Sequence, residues 1–507
     1  MKARILIITA LLLLCAMLGA QANGHLTQMG GKDILHVWGN HFERGHAQGY
    51  YLGSGVLEIF NDYYFTMVVF SSPTHYNYLW SYYQEHFNQH PRMYSEAQGL
   101  IAGMQDAGLN AFHAGLQRDL NADDVMLVNS IVDMIQVRGS FAGDDVLELG
   151  CASLSSWGVS TQQDSLLAGS SVITRFLDWS QNSALIANPV LIVHHPSESD
   201  EQPWMSFTFP GLLGALTAIS HSGVYASLNM GSEHYAANTN GVDPILFSIR
   251  DGIERTDYNA DGAHNPMDVF NAIDDDLQHS GTIIHTLFES QGVTTSFVVE
   301  TKNSATALRY YNQGGNLPGN HLAATNHFRA LSSGICCTRY ANIQDSLYTN
   351  HHINAKRQWN VLSGAAGLES NLSAIQYTPS TGKILWSSAD IGLPAYLSPA
   401  ITLEKDLLFS FSVSNQDDYL SPAQAGISLY PNPLRGGSTL SIKSDAKISS
   451  VAIYNVRGQL LAKMDTGGKR GTFSLPAMPQ DLPTGIYLLR FETAGQKPLN
   501  RKLMIVK

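Results

Sequence analysis

The sequence predicts an α+β protein with a helical N-terminal stretch, a layered core of strands interrupted by helix, and a small all-β tail. Three observations carry this expectation. Residues 23 to about 150 place apolar side chains at helical spacing behind capping residues. From Cys151 onward the texture changes to short apolar runs bounded by turn residues. Beyond about residue 412 a polar connector leads into short alternating strands.

The elements follow in order. Ser95-Glu96-Ala97-Gln98 reads as a capping box ahead of Leu100, Ile101, Met104 and Leu109. Asn121-Ala122-Asp123-Asp124 caps a second run with Val125, Val128, Ile131, Val132 and Ile135 on one face. Strands are expected at Leu166-Leu167, Val172-Ile173, residues 189–193, 223–228 and 295–300, with a helix over roughly 267–278. Strands, then helix, then strands fit a layered α+β domain. In the tail, strands at 438–442, 450–454, 485–491 and 502–506 describe a small immunoglobulin-like β-sandwich. The implied division is a signal peptide over 1–22, a helical segment over 23–150, a core over 151–411, a linker over 412–427 and a tail domain over 428–507.

The chain has 507 residues, enough for two or three cores. It is 44% hydrophobic and 14% charged, which reads as globular. Its 30 basic and 42 acidic residues give a net charge of −12, which argues against nucleic acid or an anionic membrane as partner. Lys2 and Arg4, the apolar run 5–18 and Ala20-Gln21-Ala22 form a signal peptide with an A-x-A cleavage site. No other stretch is long and apolar enough for a transmembrane helix, so the reading is an exported protein. Beyond the signal peptide, Cys151, Cys336 and Cys337 remain, an odd number. Adjacent cysteines pair only with strain, so a disulfide scaffold is not expected and a lone thiol needs an explanation.

Four blocks in the tail carry a resemblance. They are Tyr430-Pro431-Asn432-Pro433, then Ile453-Tyr454-Asn455-Val456-Arg457-Gly458-Gln459, then Leu482-Pro483-Thr484-Gly485-Ile486-Tyr487, and a basic-ended terminal strand from Lys502 to Lys507. The tail resembles the C-terminal sorting domain of the type IX secretion system, an export route of Bacteroidetes. That resemblance implies passage through the periplasm to the cell surface or medium, with the secretion machinery as partner.

Several familiar sites are absent from the sequence: no G-x-S-x-G elbow, no H-E-x-x-H, no P-loop and no Rossmann fingerprint. The 19 histidines, among them His41, His46, His194, His195, His351 and His352, show no recognised metal spacing and read mainly as surface or packing residues. The informative segment starts Gly150-Cys151-Ala152-Ser153 and reaches Arg175-Phe176-Leu177-Asp178-Trp179, an R-x-x-D-W ending to a strand. Downstream stand Gly223 to Asn229 (G-V-Y-A-S-L-N), Ala324-Thr325-Asn326-His327-Phe328 and Thr338-Arg339-Tyr340. Upstream stands Glu43-Arg44-Gly45-His46-Ala47-Gln48-Gly49.

Five blocks in this order resemble the penicillin acyltransferase-like and choloylglycine hydrolase-like families of N-terminal-nucleophile enzymes, over residues 35 to about 400. The resemblance implies a four-layer αββα core, no cofactor, and autocleavage between Gly150 and Cys151. A cysteine freed in this way carries an α-amino group of pKa about 7.7–8.0, partly neutral at pH 7, so nucleophile and base share one residue. By the same resemblance, Asp178 holds that amine and Arg175 supplies charge favouring the thiolate. Asn326 and Asn229 furnish donors for the oxyanion, and Arg339 completes the charged network. The chain departs from the family pattern at Ala152, where threonine is common, and at Phe176. The implied reaction is hydrolysis or transfer of an acyl group from an amide through a thioester on Cys151. The alternatives are a lipid-directed amidase (ceramidase-like or phospholipase B-like) and a non-catalytic binding or adhesion protein on the same scaffold.

One pattern stands apart. Asp257, Asn259, Asp261 and Asp268 imitate the spacing of a calcium loop, but His264 and Pro266 disturb it, and a solvated loop is the expected reading.

Overall fold

The structure, a computed structural model, describes residues 22–142, 150–231, 240–302, 305–313, 317–331, 337–365, 370–411, 427–430, 432, 434–435, 439–455, 459–475, 482–493 and 499–506. Most of the signal peptide and connector, Cys336, Pro431, Pro433 and the block Val456-Arg457-Gly458 lie outside them. The chain divides into two compact units, 1–411 and 412–507.

The first unit opens with β1 (Gly24–Met29), β2 (Lys32–Gly39) and α1 (His41–Glu58), which continues as a π-helical stretch, Ile59–Val68. Then come α2 (Pro73–His86), α3 (Pro91–Asp106), a short hairpin of β3 (Phe112–His113) and β4 (Arg118–Asp119), α4 (Ala122–Asn129) and α5 (Ile131–Ala142). The core continues with β5 (Gly150–Ser156), β6 (Val172–Asp178), α6 (Ser183–Ala187), β7 (Val190–Pro196), β8 (Trp204–Thr208), β9 (Thr217–Ser220) and β10 (Tyr225–Met230). It closes with α7 (Ile245–Glu254), α8 (Pro266–Asp275), β11 (Thr282–Ser290), β12 (Val293–Lys302), β13 (Ala305–Arg309) and β14 (His321–Ala324). Last come α9 (Thr338–Thr349), α10 (Ala355–Ser363), β15 (Asn371–Thr378), β16 (Lys383–Ser388), β17 (Ile401–Glu404) and α11 (Lys405–Phe409).

These strands form two sheets, in the orders β1-β2-β7-β8-β9-β10-β11-β12-β13 and β14-β5-β6-β15-β16-β17. Every pairing is antiparallel except β2 with β7. Ile34, Leu191, Phe207 and Tyr225 of the first sheet meet Ile173, Ile375, Tyr377 and Trp386 of the second, so the two sheets face each other across an apolar layer. α8 packs on β11 and β12, and α10 on β5 and β6, which gives helix layers on the outer faces.

Four local expectations are corrected. The N-terminal segment is not all helix: β1 and β2 form a hairpin, turned at Gly30 and Gly31 in left-handed conformations, and β2 enters the nine-stranded sheet. α3 starts at Pro91, four residues before the expected cap, because proline favours the first helical position; Ser95 lies inside the helix. Leu166-Leu167 is a turn, with the Asp164 carboxylate accepting from both backbone N–H groups at 3.1 and 2.8 Å. α7 falls in a stretch where no helix was expected. The cap at Asn121 behaves as read: Asn121 and Asp124 satisfy each other's backbone N–H groups reciprocally.

Two helices approach with unusual closeness. A Cβ on Gly45 or Gly49 of α1 would run into the carbonyls of Glu96 and Leu100, and one on Gly99 or Gly103 of α3 into those of Phe42 and His46. Four glycines thus bring the two backbones into contact, and His41 reaches Glu96 across the crossing.

In the second unit, β18 (Ile427–Tyr430), β19 (Leu434–Arg435), β20 (Ser441–Asn455), β21 (Leu460–Ser474), β22 (Gly485–Thr493) and β23 (Leu499–Val506) belong to one hydrogen-bonded sheet. This pairing does not by itself show the expected β-sandwich. β20 is irregular between Ser444 and Ser450, so its first part pairs with β18 and its last part with β22. Ile442, Ile448, Val451, Leu489, Phe491 and Leu503 form the core of this unit.

Candidate active site

Strand pairing sets the site. β5 and β6 are antiparallel neighbours, with Gly150 opposite Asp178 and Cys151 opposite Leu177. On its other side β5 is paired by β14 only from Ser153 onward, since β14 ends at Ala324. The next residues, Thr325 and Asn326, leave the ladder, and a side chain replaces a strand as partner. The backbone N–H of Cys151 donates to Asn326 Oδ1 at 2.9 Å.

The remaining groups converge on this point. Arg175 Nη2 lies 3.6 Å from Cys151 Sγ and donates to Leu228 O at 2.7 Å. Arg339 Nη1 donates to Asn326 Oδ1 at 3.0 Å, and its Nη2 pairs with Asp178 Oδ2 at 3.1 Å. Asn326 Nδ2 donates to Met230 O at 2.8 Å, and Asn229 Nδ2 to Thr325 O at 3.5 Å. Cys151, Arg175, Asp178 and Asn229 are all buried. Burial pushes the Cys151 thiol above its usual pKa; the Arg175 charge pulls it back, Asp178 adds to the rise, and Arg339 lowers it. Arg175 Nε and Nη1 and Asn229 Oδ1 have no hydrogen-bond partner among the described residues, although all are buried.

Gly150 belongs to the same assembly for a steric reason. A Cβ there would run into both terminal nitrogens and the central carbon of the Arg339 guanidinium. The residue before the thiol is therefore a platform for the arginine that links Asp178 to Asn326.

All six residues expected in the site meet here, with two differences in detail. The acceptor at the Cys151 nitrogen is Asn326 rather than Asp178, whose carboxylate is paired with Arg339. Asn326 engages through its oxygen, with its amide nitrogen on Met230 O. One participant escaped sequence reading: Asn371 of β15 donates from Nδ2 to Asp178 Oδ1 at 3.0 Å. A single asparagine at a strand start carries no signal that could have found it.

The loop from Asp257 to Asp268 stands apart from this site and spends its carboxylates on its own backbone. Asp257 accepts from the N–H of Asp261 and Gly262, and Asp268 from those of Tyr258 and Asn265. Asp268 is the capping-box partner of Asn265 at the start of α8, and Asn259 Nδ2 donates to Asp261 at 3.3 Å.

His41, expected as a surface or packing residue, is buried in an ionic cluster. Its Nδ1 and Nε2 lie 2.9 Å from Glu96 and Glu201. Arg44 pairs with Glu201 and Glu254, Arg250 with Glu96 and Glu254, and Arg92 with Glu201. His41, Glu198 and Glu201 place potential metal-ligating atoms within 4.8 Å of one another. Arg44 and Arg92 already occupy these carboxylates, and two guanidinium charges disfavour a cation there.

Residues 428–506 match the model of the secretion system C-terminal sorting domain. The chain carries this domain, which directs it across the outer membrane to the cell surface or beyond and implies contact with the secretion machinery. Among the described residues no helix is long and apolar enough to cross a membrane. A search of curated proteins finds no match. Among solved structures, a Caenorhabditis elegans orthologue of N-acylethanolamine-hydrolyzing acid amidase is 16% identical with a TM-score of 0.32, covering 45% of this chain and 93% of its own. A mutant conjugated bile acid hydrolase from Clostridium perfringens is 10% identical with a TM-score of 0.30, covering 50% and 93%. Another variant of that hydrolase is 11% identical with a TM-score of 0.28, covering 51% and 93%. Likeness at this level fixes neither reaction nor substrate.

Proposed function

We propose that the first unit is an exported cysteine N-terminal-nucleophile hydrolase or acyltransferase acting on an amide bond, activated by cleavage of its own Gly150–Cys151 bond. The observation that carries this reading is the treatment of one backbone nitrogen. The Cys151 N–H donates to a side chain, Asn326 Oδ1, in a network that continues through Arg339 to Asp178. A buried structural cysteine needs no such setting; a nitrogen that becomes a catalytic amine does.

In the cleavage step the Cys151 thiol attacks the Gly150 carbonyl carbon. The C–N bond breaks as the C–S bond forms, and the thiol proton passes to the departing nitrogen. Water then hydrolyses the thioester, leaving a Gly150 carboxylate and a free thiol. In turnover the new α-amine takes the thiol proton, Sγ attacks the substrate carbonyl, and the amine returns the proton to the leaving nitrogen. Water or an acceptor amine removes the acyl group. Arg175, 3.6 Å from the sulfur, stabilises its negative charge. Asn326, which accepts from the Cys151 N–H, and Asn229, whose amide reaches Thr325 O beside it, are the proposed donors to the oxyanion.

Intact-mass analysis of the exported protein tests the reading. The expected result is two fragments, the larger beginning with Cys151, from the wild type and an uncut chain from Cys151→Ala. The cut form, but not the variant, releases amine from a panel of N-acyl amino acids, penicillins, bile-salt conjugates and N-acyl lipids. An uncut wild type that turns over any of these substrates overturns the proposal.

A further inference from the structure

We propose that Asn371 is a positioning residue for the chemistry at Cys151, placed by a bulge in β15; the proposal rests on reading Cys151 as the nucleophile. β15 runs antiparallel to β6 with Ser373 opposite Leu177, and continuing that register would set Leu372 opposite Asp178. The register shifts there instead, and Asn371 takes the place opposite Asp178. A bulge is a device for re-aiming one side chain without disturbing the rest of a strand.

The re-aimed side chain is fully committed. Asn371 is buried; its Nδ2 donates to Asp178 Oδ1 at 3.0 Å and lies 3.3 Å from the carbonyls of Leu177 and Ser373. Its Oδ1 accepts from the Tyr396 N–H at 3.0 Å. The carboxylate of Asp178 is thereby held from one side by a neutral donor and from the other by Arg339, itself bonded to the residue that holds the Cys151 nitrogen. A neutral donor fixes the orientation of a buried carboxylate without neutralising the charge that keeps Arg339 in place. Leu177, the strand partner of Cys151, is tied by the same amide.

Two variants in the full chain test this. Asn371→Ala removes the hydrogen bond to Asp178. Asn371→Asp keeps the size but sets a second carboxyl against Asp178, so the pair shares a proton and titrates at higher pH. Each is followed by intact mass for cleavage before Cys151, and by the pH dependence of Cys151 alkylation with iodoacetamide, located by peptide mass. The alanine variant is expected to slow cleavage by roughly tenfold or more, the scale of one lost hydrogen bond to a charged group. The aspartate variant is expected to move the alkylation profile by about one pH unit or more, a shift that a merely structural role would not produce. Should Asn371→Ala fail to fold, the aspartate variant decides. Folded variants with wild-type cleavage and profile overturn the role of Asn371 and leave the nucleophile reading standing. A wild type that never cleaves overturns both.

Discussion

Gly150 packs so closely on the guanidinium of Arg339 that a side chain on the residue before the candidate nucleophile would collide with the arginine that bridges Asp178 to Asn326. Gly150→Ala therefore displaces the arginine rather than merely crowding the scissile bond. The clash is with the far end of a long side chain, so the variant should fold. With Arg339 moved off Asp178 and Asn326, it should cleave at least about tenfold more slowly, about 1.4 kcal/mol in the barrier. Mass spectrometry over time reads the rate. Wild-type cleavage in Gly150→Ala would show that the Arg339 contact is irrelevant to processing.

Asn326 accepts from the Cys151 nitrogen and stands beside the nucleophile. Asn326→Ala, in chain cleaved before the measurement or co-expressed as two fragments, should lose roughly 10²–10³-fold in kcat, the usual cost of one oxyanion donor. Unchanged turnover removes Asn326 from the chemistry.

The ionic cluster around His41 makes stability depend on pH in two directions. Burial works against the charged imidazole, but hydrogen bonds to Glu201 and Glu96 outweigh it and raise its pKa above 6.5. Burial likewise opposes ionisation of Glu96, yet Arg250 and His41 hold its carboxyl well below 4.5. The His41 contribution is complete below pH 6.5 and fades as pH rises through its raised folded value. That of Glu96 is complete above pH 4.5 and fades as pH falls toward its depressed folded value. The melting temperature should be highest between these limits, and His41→Gln should flatten the alkaline limb. Glu96→Ala, which takes from Arg250 one of its two carboxylate partners and from His41 one of its two, should lower the urea midpoint of unfolding. An alkaline limb that is the same in His41→Gln contradicts the assignment.

As a sorting domain the tail is expected to serve as an address, dispensable for the activity proposed for the first unit. Ending the chain after about residue 420 should leave purified activity unchanged while the protein accumulates in the periplasm. Fractionation of cells decides, and surface delivery of the shortened chain would contradict the prediction.

What sequence reading could reach followed from which signals are local. Caps such as Asn121 with Asp124 lie within four residues and were legible, as were motif blocks that bring Cys151, Arg175, Asp178, Asn326 and Arg339 to one place. The hairpin 24–39 had a local signal, the turn pair Gly30-Gly31 ahead of Ile34, Leu35 and Val37, outweighed by the helical pattern after it. The polar partners in the site depend on register, which no short motif encodes. Asn371 faces Asp178 because of a one-residue bulge, and the Cys151 N–H meets Asn326 because β14 stops two residues short of it. The glycines at 45, 49, 99 and 103 matter through a helix crossing between segments some fifty residues apart, so their spacing became meaningful only in three dimensions.

The parallel pairing of β2 with β7 has a consequence for the life of the folded molecule. β2 precedes Cys151 and sits inside a sheet whose other inner strands follow it. A chain cut before Cys151 is then two polypeptides sharing one ladder of hydrogen bonds, with no covalent path between them. Unfolding such a molecule separates its pieces, and re-forming it becomes a bimolecular encounter that dilution outside the cell opposes. Its persistence there is set by the height of the unfolding barrier rather than by the equilibrium between folded and unfolded states.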